Sequence, residues 1–129
     1  MDGDTIVVRI GGREDRVRYI GLDAPEVANA GAGTTAECGG GEAGTANERL
    51  AAGEQIVLER DVSDRDRFGR LLRHAWLDDD GWRLIGLELV AAGAVGARSD
   101  PPDVPRDREF GAAEDRARDL RAGIWGACP

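Results

Sequence analysis

Residues 5–22 run Thr5-Ile6-Val7-Val8-Arg9-Ile10-Gly11-Gly12-Arg13-Glu14-Asp15-Arg16-Val17-Arg18-Tyr19-Ile20-Gly21-Leu22. Thr5–Ile10 is β-branched and apolar apart from Arg9, which predicts a strand. Gly11-Gly12 then predicts a turn. Asp15–Leu22 returns with Val17, Tyr19 and Ile20, so the stretch predicts a β-hairpin. Asp23-Ala24-Pro25-Glu26 ends it, because Pro25 has no N–H to give to a ladder.

Beyond this hairpin, Val27–Gly41 is rich in Gly, Ala, Thr and Asn without a period, and reads as a mobile surface loop. Glu42–Ala52 reads as a helix with Gly53 as its stop. Gln55–Arg60 and Arg70–Leu77 read as strands flanking a charged turn, Asp61–Gly69, and Asp78–Gly81 as a hairpin turn. Leu84–Ala92 has helical spacing in Leu84, Leu87 and Val90 and ends at Gly93. Ser99–Asp107 is a proline-bearing loop, and Glu109–Arg121 a charged amphipathic helix ending at Gly123. Strands come first, with helices between and after. That order predicts an α+β fold, most simply a small barrel with helices packed on it.

The chain has 129 residues, which predicts one domain spanning 1–129. Its 17 basic residues are all arginine and oppose 25 carboxylates, for a net charge of −8. Non-specific nucleic-acid coating is driven by cationic surface, so this balance speaks against it while leaving room for a local cationic site. No apolar run reaches the roughly 18 residues of a membrane helix, and no basic-then-apolar leader stands at the start of this chain.

The residue inventory narrows the chemistry. Neither serine, Ser63 nor Ser99, sits in a Gly-x-Ser-x-Gly elbow, which speaks against a serine hydrolase. The single histidine, His74, and the two cysteines lack zinc-site spacing. No lysine exists to complete a Walker A loop. If the chain is an enzyme, its chemistry rests on carboxylates and arginines, which suit hard metals and phosphates.

Three segments concentrate such residues: Asp2-Gly3-Asp4-Thr5, then Val17-Arg18-Tyr19-Ile20-Gly21-Leu22-Asp23-Ala24-Pro25-Glu26, then Asp66-Arg67-Phe68-Gly69-Arg70-Leu71-Leu72. Each alone is an ordinary turn or a solvated strand. Together and in this order they resemble the staphylococcal (micrococcal) nuclease family, the thermonuclease-like domain. The resemblance continues through Glu37-Cys38-Gly39-Gly40, Glu88-Leu89-Val90-Ala91-Ala92-Gly93, Ala113-Glu114 and Gly123-Ile124-Trp125, and so covers nearly the whole chain.

The resemblance implies an OB-fold, a five-stranded Greek-key barrel with three helices. It also implies calcium-dependent hydrolysis of DNA and RNA phosphodiesters to 3′-phosphate ends. Asp4 and Asp23 match the carboxylates that hold Ca2+, with the Ala24 backbone carbonyl beside them. Arg18 and Arg70 match the arginines that grip the scissile phosphate, and Glu26 matches the glutamate near the attacking water. Arg67 and Phe68 fall where the family contacts substrate. Phe68 keeps a stacking ring and lacks the tyrosine hydroxyl, and no tyrosine stands in Ser99–Asp107. The partners implied are DNA and RNA, preferably single-stranded, with no membrane, and the protein is expected to be a monomer.

Cys38 and Cys128 are either free thiols of a cytoplasmic protein or a disulfide. Resemblance to secreted relatives carrying this pair favours the disulfide, hence an oxidising compartment and an extracytoplasmic protein whose leader has been removed. Only Met1 precedes Asp2, so the N-terminal strand is expected to be shortened. His74 alternates with Leu72 and Trp76 and is expected in the core without a chemical role. Trp76, Trp82 and Trp125 are expected to be core or partly buried, and Arg116, Arg118 and Arg121 solvated. The rival reading is a non-catalytic nucleic-acid or protein-binding module. Such modules usually lack one or more of the five carboxylates and arginines, all of which this chain retains.

Overall fold

The structure is a computed structural model that describes residues 2–26 and 37–129. In chain order its elements are β1 (Thr5–Ile10), β2 (Arg13–Tyr19), β3 (Leu22–Asp23), α1 (Gly40–Ala51), β4 (Ile56–Glu59), β5 (Leu71–Asp78), β6 (Trp82–Leu84), α2 (Ile85–Ala91), β7 (Gly96–Ala97), α3 (Asp107–Asp119) and the single turn α4 (Ile124–Ala127). The α+β class holds. Residues 27–36 of the expected Val27–Gly41 loop lie outside the described residues.

The hairpin forms as its pattern requires. β1 and β2 pair antiparallel from Thr5↔Arg18 to Ile10↔Arg13. The two-residue turn Gly11-Gly12 has φ of 57° and 83°. A hairpin turn with both central residues at positive φ matches the twist of its strands, and glycine takes that conformation without a Cβ penalty.

The main sheet runs β1-β2-β5-β4, with β6 also on β5. β2 meets the start of β5 in parallel, Val17↔Leu71 to Tyr19↔Arg73, while β4 and β6 pair antiparallel with its later residues. This sheet corrects the expected Greek-key OB barrel. It has five strands but does not close. β1 and β4 end its main path without pairing to each other, and a cavity of about 720 Å3 is lined by both, by Ile6–Ile10 and Ile56–Leu58. Closure needs a strand that bridges both edges by hydrogen bonds. No described strand does this: β1 pairs only with β2 and β4 only with β5, and their outer edges do not pair with one another.

Beneath the sheet lies a core of Ile6, Val17, Tyr19, Leu22, Leu71, Leu77, Leu84, Ile85, Leu89, Val90, Val95 and Phe110. α2 and α3 pack on one another through it, with Phe110 set between Gly21 and Gly86. His74 is 3% exposed, as its alternation predicts, and stacks on Phe110 at 6.0 Å. Trp82 corrects the expectation for the tryptophans. It is 60% exposed, because it sits at the end of a three-residue edge strand beside the open cleft.

Three features go beyond the sequence pattern. β3 leaves the main sheet and pairs with β7, Leu22↔Ala97 and Asp23↔Gly96. α3 starts at Asp107, two residues before the expected helix. α4 carries Cys128 at its C-cap, where it is bonded to Cys38. No helix among the described residues is long and apolar enough to cross a membrane.

Candidate functional site

The turn before β1 is fixed from three directions. Tyr19 N donates to Asp4 O at 2.9 Å. The Asn47 side-chain amide of α1, fully buried, donates to Asp2 O at 2.9 Å and Thr5 O at 3.1 Å. Its oxygen accepts the Tyr19 phenol at 2.6 Å. Burial pushes the Tyr19 phenol well above its usual pKa, so it remains a donor. A buried polar group with every bond satisfied rigidifies what it holds, and here it holds Asp4 in place.

Arg18 follows one residue before the end of β2 and is 5% exposed. Its Nη1 donates to Tyr19 O and its Nη2 to Leu22 O at 3.0 Å. The same Nη2 lies 3.6 Å from Asp4 Oδ2 and 3.8 Å from Asp23 Oδ1. One guanidinium thus gathers both carboxylates. β3 brings Asp23 there by crossing to β7.

Arg70 arrives on the parallel pairing of β2 with β5. Its Nε donates to Asp66 Oδ2 at 2.7 Å and its Nη1 to Thr5 Oγ1 at 3.1 Å. The Thr5 hydroxyl in turn donates to Asp4 Oδ1 at 2.9 Å. A continuous chain of hydrogen bonds therefore runs Asp66, Arg70, Thr5, Asp4. Burial pushes the Asp66 carboxyl up, but the Arg70 amide and guanidinium pull it down further, so it lies below its usual pKa. Next to it, Phe68 stands on the rim, 59% exposed, with Arg67 4.8 Å and Arg70 5.6 Å from its ring centre.

Glu26 is exposed, and its backbone is tied to the residue where the described chain resumes. Glu37 N donates to Glu26 O at 2.9 Å, and Glu26 N donates to Glu37 Oε1 at 3.3 Å. A side chain at Gly40 would collide with the Glu26 carbonyl, so the glycines opening α1 allow this close approach.

Asp4, Arg18, Asp23, Ala24, Glu26, Arg67, Phe68 and Arg70 all line one cavity of about 760 Å3. Cys38 and Cys128 lie apart from it and form a disulfide. The sequence reading missed five residues here. Asp66 and Thr5 were legible, lying inside the quoted segments at hydrogen-bonding distance in sequence. Asp2 was legible in the same way, two residues before Asp4, whereas Arg98 and Asp100 join the wall through tertiary structure alone. Burial and the adjacent Asp4 carboxyl push the Asp2 carboxyl above its usual range.

The lining holds seven carboxylates, from Asp2, Asp4, Asp23, Glu26, Asp66, Asp100 and Asp103, against four guanidiniums. Its donors are oxygens, without thiolate or imidazole. Among the described residues no three acidic, histidine or cysteine side chains stand close enough to enclose a metal ion. A cation here would meet few side-chain ligands and keep much of its water.

Three separated segments meeting at one charged cavity call for comparison with known proteins. The staphylococcal nuclease homologue family matches residues 16–127. The chain belongs to this family. It is 30% identical over 125 residues to the thermonuclease of Staphylococcus hyicus, covering 97% of this chain and 71% of that protein. The thermonuclease of Staphylococcus intermedius is 29% identical over the same coverage. Endonuclease YncB of Bacillus subtilis (strain 168) is 37% identical over 127 residues, which cover 97% of this chain and 58% of that protein. As a staphylococcal nuclease homologue, the chain falls within a group of hydrolases that cleave nucleic acid. Its disulfide is consistent with an extracytoplasmic setting rather than free cytoplasmic thiols.

Proposed function

We propose that this staphylococcal nuclease homologue is a calcium-dependent nuclease. It hydrolyses phosphodiester bonds of DNA and RNA, preferably single-stranded, and leaves 3′-phosphate ends. The observation that carries the reading is the Asp66–Arg70–Thr5–Asp4 chain of hydrogen bonds, which would couple the guanidinium assigned here to phosphate with a carboxylate assigned here to the cation. The family relationship and the arginine pair facing one cavity support it.

The donor chemistry fits calcium. Ca2+ takes six to eight oxygen ligands in flexible geometry, whereas magnesium demands a near-ideal octahedron and sheds water reluctantly. Asp4, Asp23 and the Ala24 carbonyl would hold it, and it would supply Lewis-acid polarisation of the phosphoryl oxygen.

The chain's own residues do the rest. Arg70 and Arg18 bind the non-bridging oxygens, where charge builds in the transition state. Guanidinium stays protonated at any working pH and matches phosphate oxygens as a fork. Arg18 and Arg70 are pre-oriented by Tyr19 O, Leu22 O, Asp66 and Thr5, so little reorganisation is needed when the charge develops. Glu26 orients a water in line with the 5′ oxygen and accepts its proton. The water oxygen bonds to phosphorus as the P–O5′ bond breaks, and the 5′ oxygen takes a proton from solvent. Phe68 stacks a neighbouring base, and Arg67 steadies the backbone beside it.

The whole chain serves as one domain for this activity, working as a monomer outside the cytoplasm. Its test is cleavage of single-stranded DNA and RNA with end-group analysis. The reading expects 3′-phosphates, and 5′-phosphate products would overturn it.

A further inference from the structure

Arg98 follows β7 and lies on the rim of the cavity, 45% exposed at its side chain. Its Nη1 is 3.4 Å from Asp23 Oδ1, the oxygen that also faces Arg18. Its Nε donates to Asp100 Oδ1 at 2.8 Å. Asp100 is fixed in turn, since its Oδ2 accepts Gly21 N at 3.3 Å. The backbone is fixed too: Arg98 N donates to Gly21 O at 2.9 Å, extending the β3–β7 ladder. The backbone is therefore anchored, and the head is held by two ion pairs, a closer one to Asp100 and a looser, half-exposed one to Asp23. Pairs of that kind are worth about 0–1 kcal/mol and exchange easily.

Asp23 cannot serve two cations equally. A divalent ion on this carboxylate repels the guanidinium 3.4 Å away. Arg98 then loses one partner while staying tethered at the mouth of a cavity whose remaining lining is net acidic. A polyanion entering there supplies the missing negative charge.

We propose that Arg98 is a third phosphate-contacting arginine, which exchanges Asp23 for a backbone phosphate flanking the scissile one when a divalent cation binds. The proposal rests on the nuclease reading and adds a residue to its substrate contacts. It links the two ligands reciprocally: the cation releases the arginine, and the phosphate keeps it from returning to Asp23, so each strengthens binding of the other. Arg98 weakens the bare cation site and strengthens nucleic-acid binding.

The test compares wild type with Arg98→Ala, Arg98→Lys and Asp100→Asn. Calcium affinity is read by calorimetry without nucleic acid. Binding of a cleavage-resistant phosphorothioate oligothymidylate is read by anisotropy across a salt series in calcium. Arg98→Ala binds calcium about two- to fivefold more tightly, because a neighbouring positive charge is gone. It binds the oligonucleotide several-fold more weakly, with a log–log salt slope shallower by about 0.7, the share of one phosphate contact on a single strand. Arg98→Lys keeps the wild-type slope, and Asp100→Asn, which frees Arg98, binds the oligonucleotide more tightly than wild type. A merely structural Arg98 would weaken both ligands together in the alanine variant. That result, or an unchanged slope, overturns the proposal. Cleavage of unmodified oligothymidylate by wild type is scored separately. Its absence refutes the nuclease reading while the two binding measurements still decide Arg98. A wild type that binds neither ligand overturns both.

Discussion

Arg70 and Asp66 form a clamp across one turn of chain: Arg70 Nε donates to Asp66 Oδ2 at 2.7 Å, and Asp66 Oδ1 accepts the backbone amides of Phe68 and Arg70. The side chains are 19% and 15% exposed. The carboxylate therefore orients the guanidinium and shapes the rim turn carrying Phe68 at once.

Asp66→Ala accordingly lowers turnover without removing any group that touches substrate. A hydrogen bond to a charged group contributes about 1.5–3 kcal/mol, so the loss is roughly 10- to 100-fold. Steady-state kinetics of Asp66→Ala and Asp66→Asn check this, with Asn, which still accepts the two amides, losing less. Equal and negligible losses would show that Arg70 needs no clamp.

The two arginines separate by stability. Arg70→Ala lowers turnover about 100- to 1,000-fold, the usual cost of one lost transition-state donor, and leaves the unfolding midpoint nearly unchanged. Arg18→Ala loses activity and also unfolds easily, because it leaves Tyr19 O and Leu22 O without their buried donor and takes the cation away from the Asp4 carboxylate. Removing one partner from a buried charged cluster costs about 3–5 kcal/mol. Urea titration of the two variants distinguishes them, and equal midpoints would contradict the buried role of Arg18.

Much of this site was legible in residues 2–26 and 66–72, because its groups lie on or beside one hairpin and the strand next to it. The turn Gly11-Gly12 and the alternation of Val17 and Tyr19 set that hairpin directly. Asp66 was legible for the same reason, four residues before Arg70. Arg98 and Asp100 were not. They reach the site through β3 and β7, a two-residue ladder too short to leave a period-2 pattern. The open sheet was hidden likewise. The apolar, largely β-branched runs of β1 and β4 mark strands, but say nothing of whether two edges meet.

His74 makes stability depend on pH. Burial, with Arg106 nearby, holds its imidazole pKa below the usual value, against the opposing pull of Glu59 and Asp61; Asp103 also faces it. The folded state then binds fewer protons than the unfolded one below about pH 6.5, so stability is lost as pH falls from there toward the depressed folded pKa. Chemical denaturation at pH 7.5 and 5.5 reads a drop in wild type that is smaller in His74→Gln. An identical drop in the variant would assign the effect to other groups.

The disulfide joins residues 90 apart in sequence. In the chain-entropy account, closing a loop of that size stabilises by about 4–5 kcal/mol. Denaturant unfolding of wild type against Cys38→Ser/Cys128→Ser measures it, with no titratable thiol in denatured, unreduced wild type. A loss under about 1 kcal/mol would mean that native strain or residual unfolded structure cancels the entropic gain.

The most direct measurement is hydrolysis of single-stranded DNA in millimolar-order calcium, in magnesium alone, and after exhaustive chelation. The proposed site of two carboxylates and a carbonyl would bind its ion weakly, in the range of weak calcium modules, and would suit calcium's flexible shell better than magnesium's octahedron. The account predicts rapid cleavage in calcium, little in magnesium and none with chelator. Undiminished cleavage after chelation, or tight DNA binding without cleavage in calcium, would contradict it.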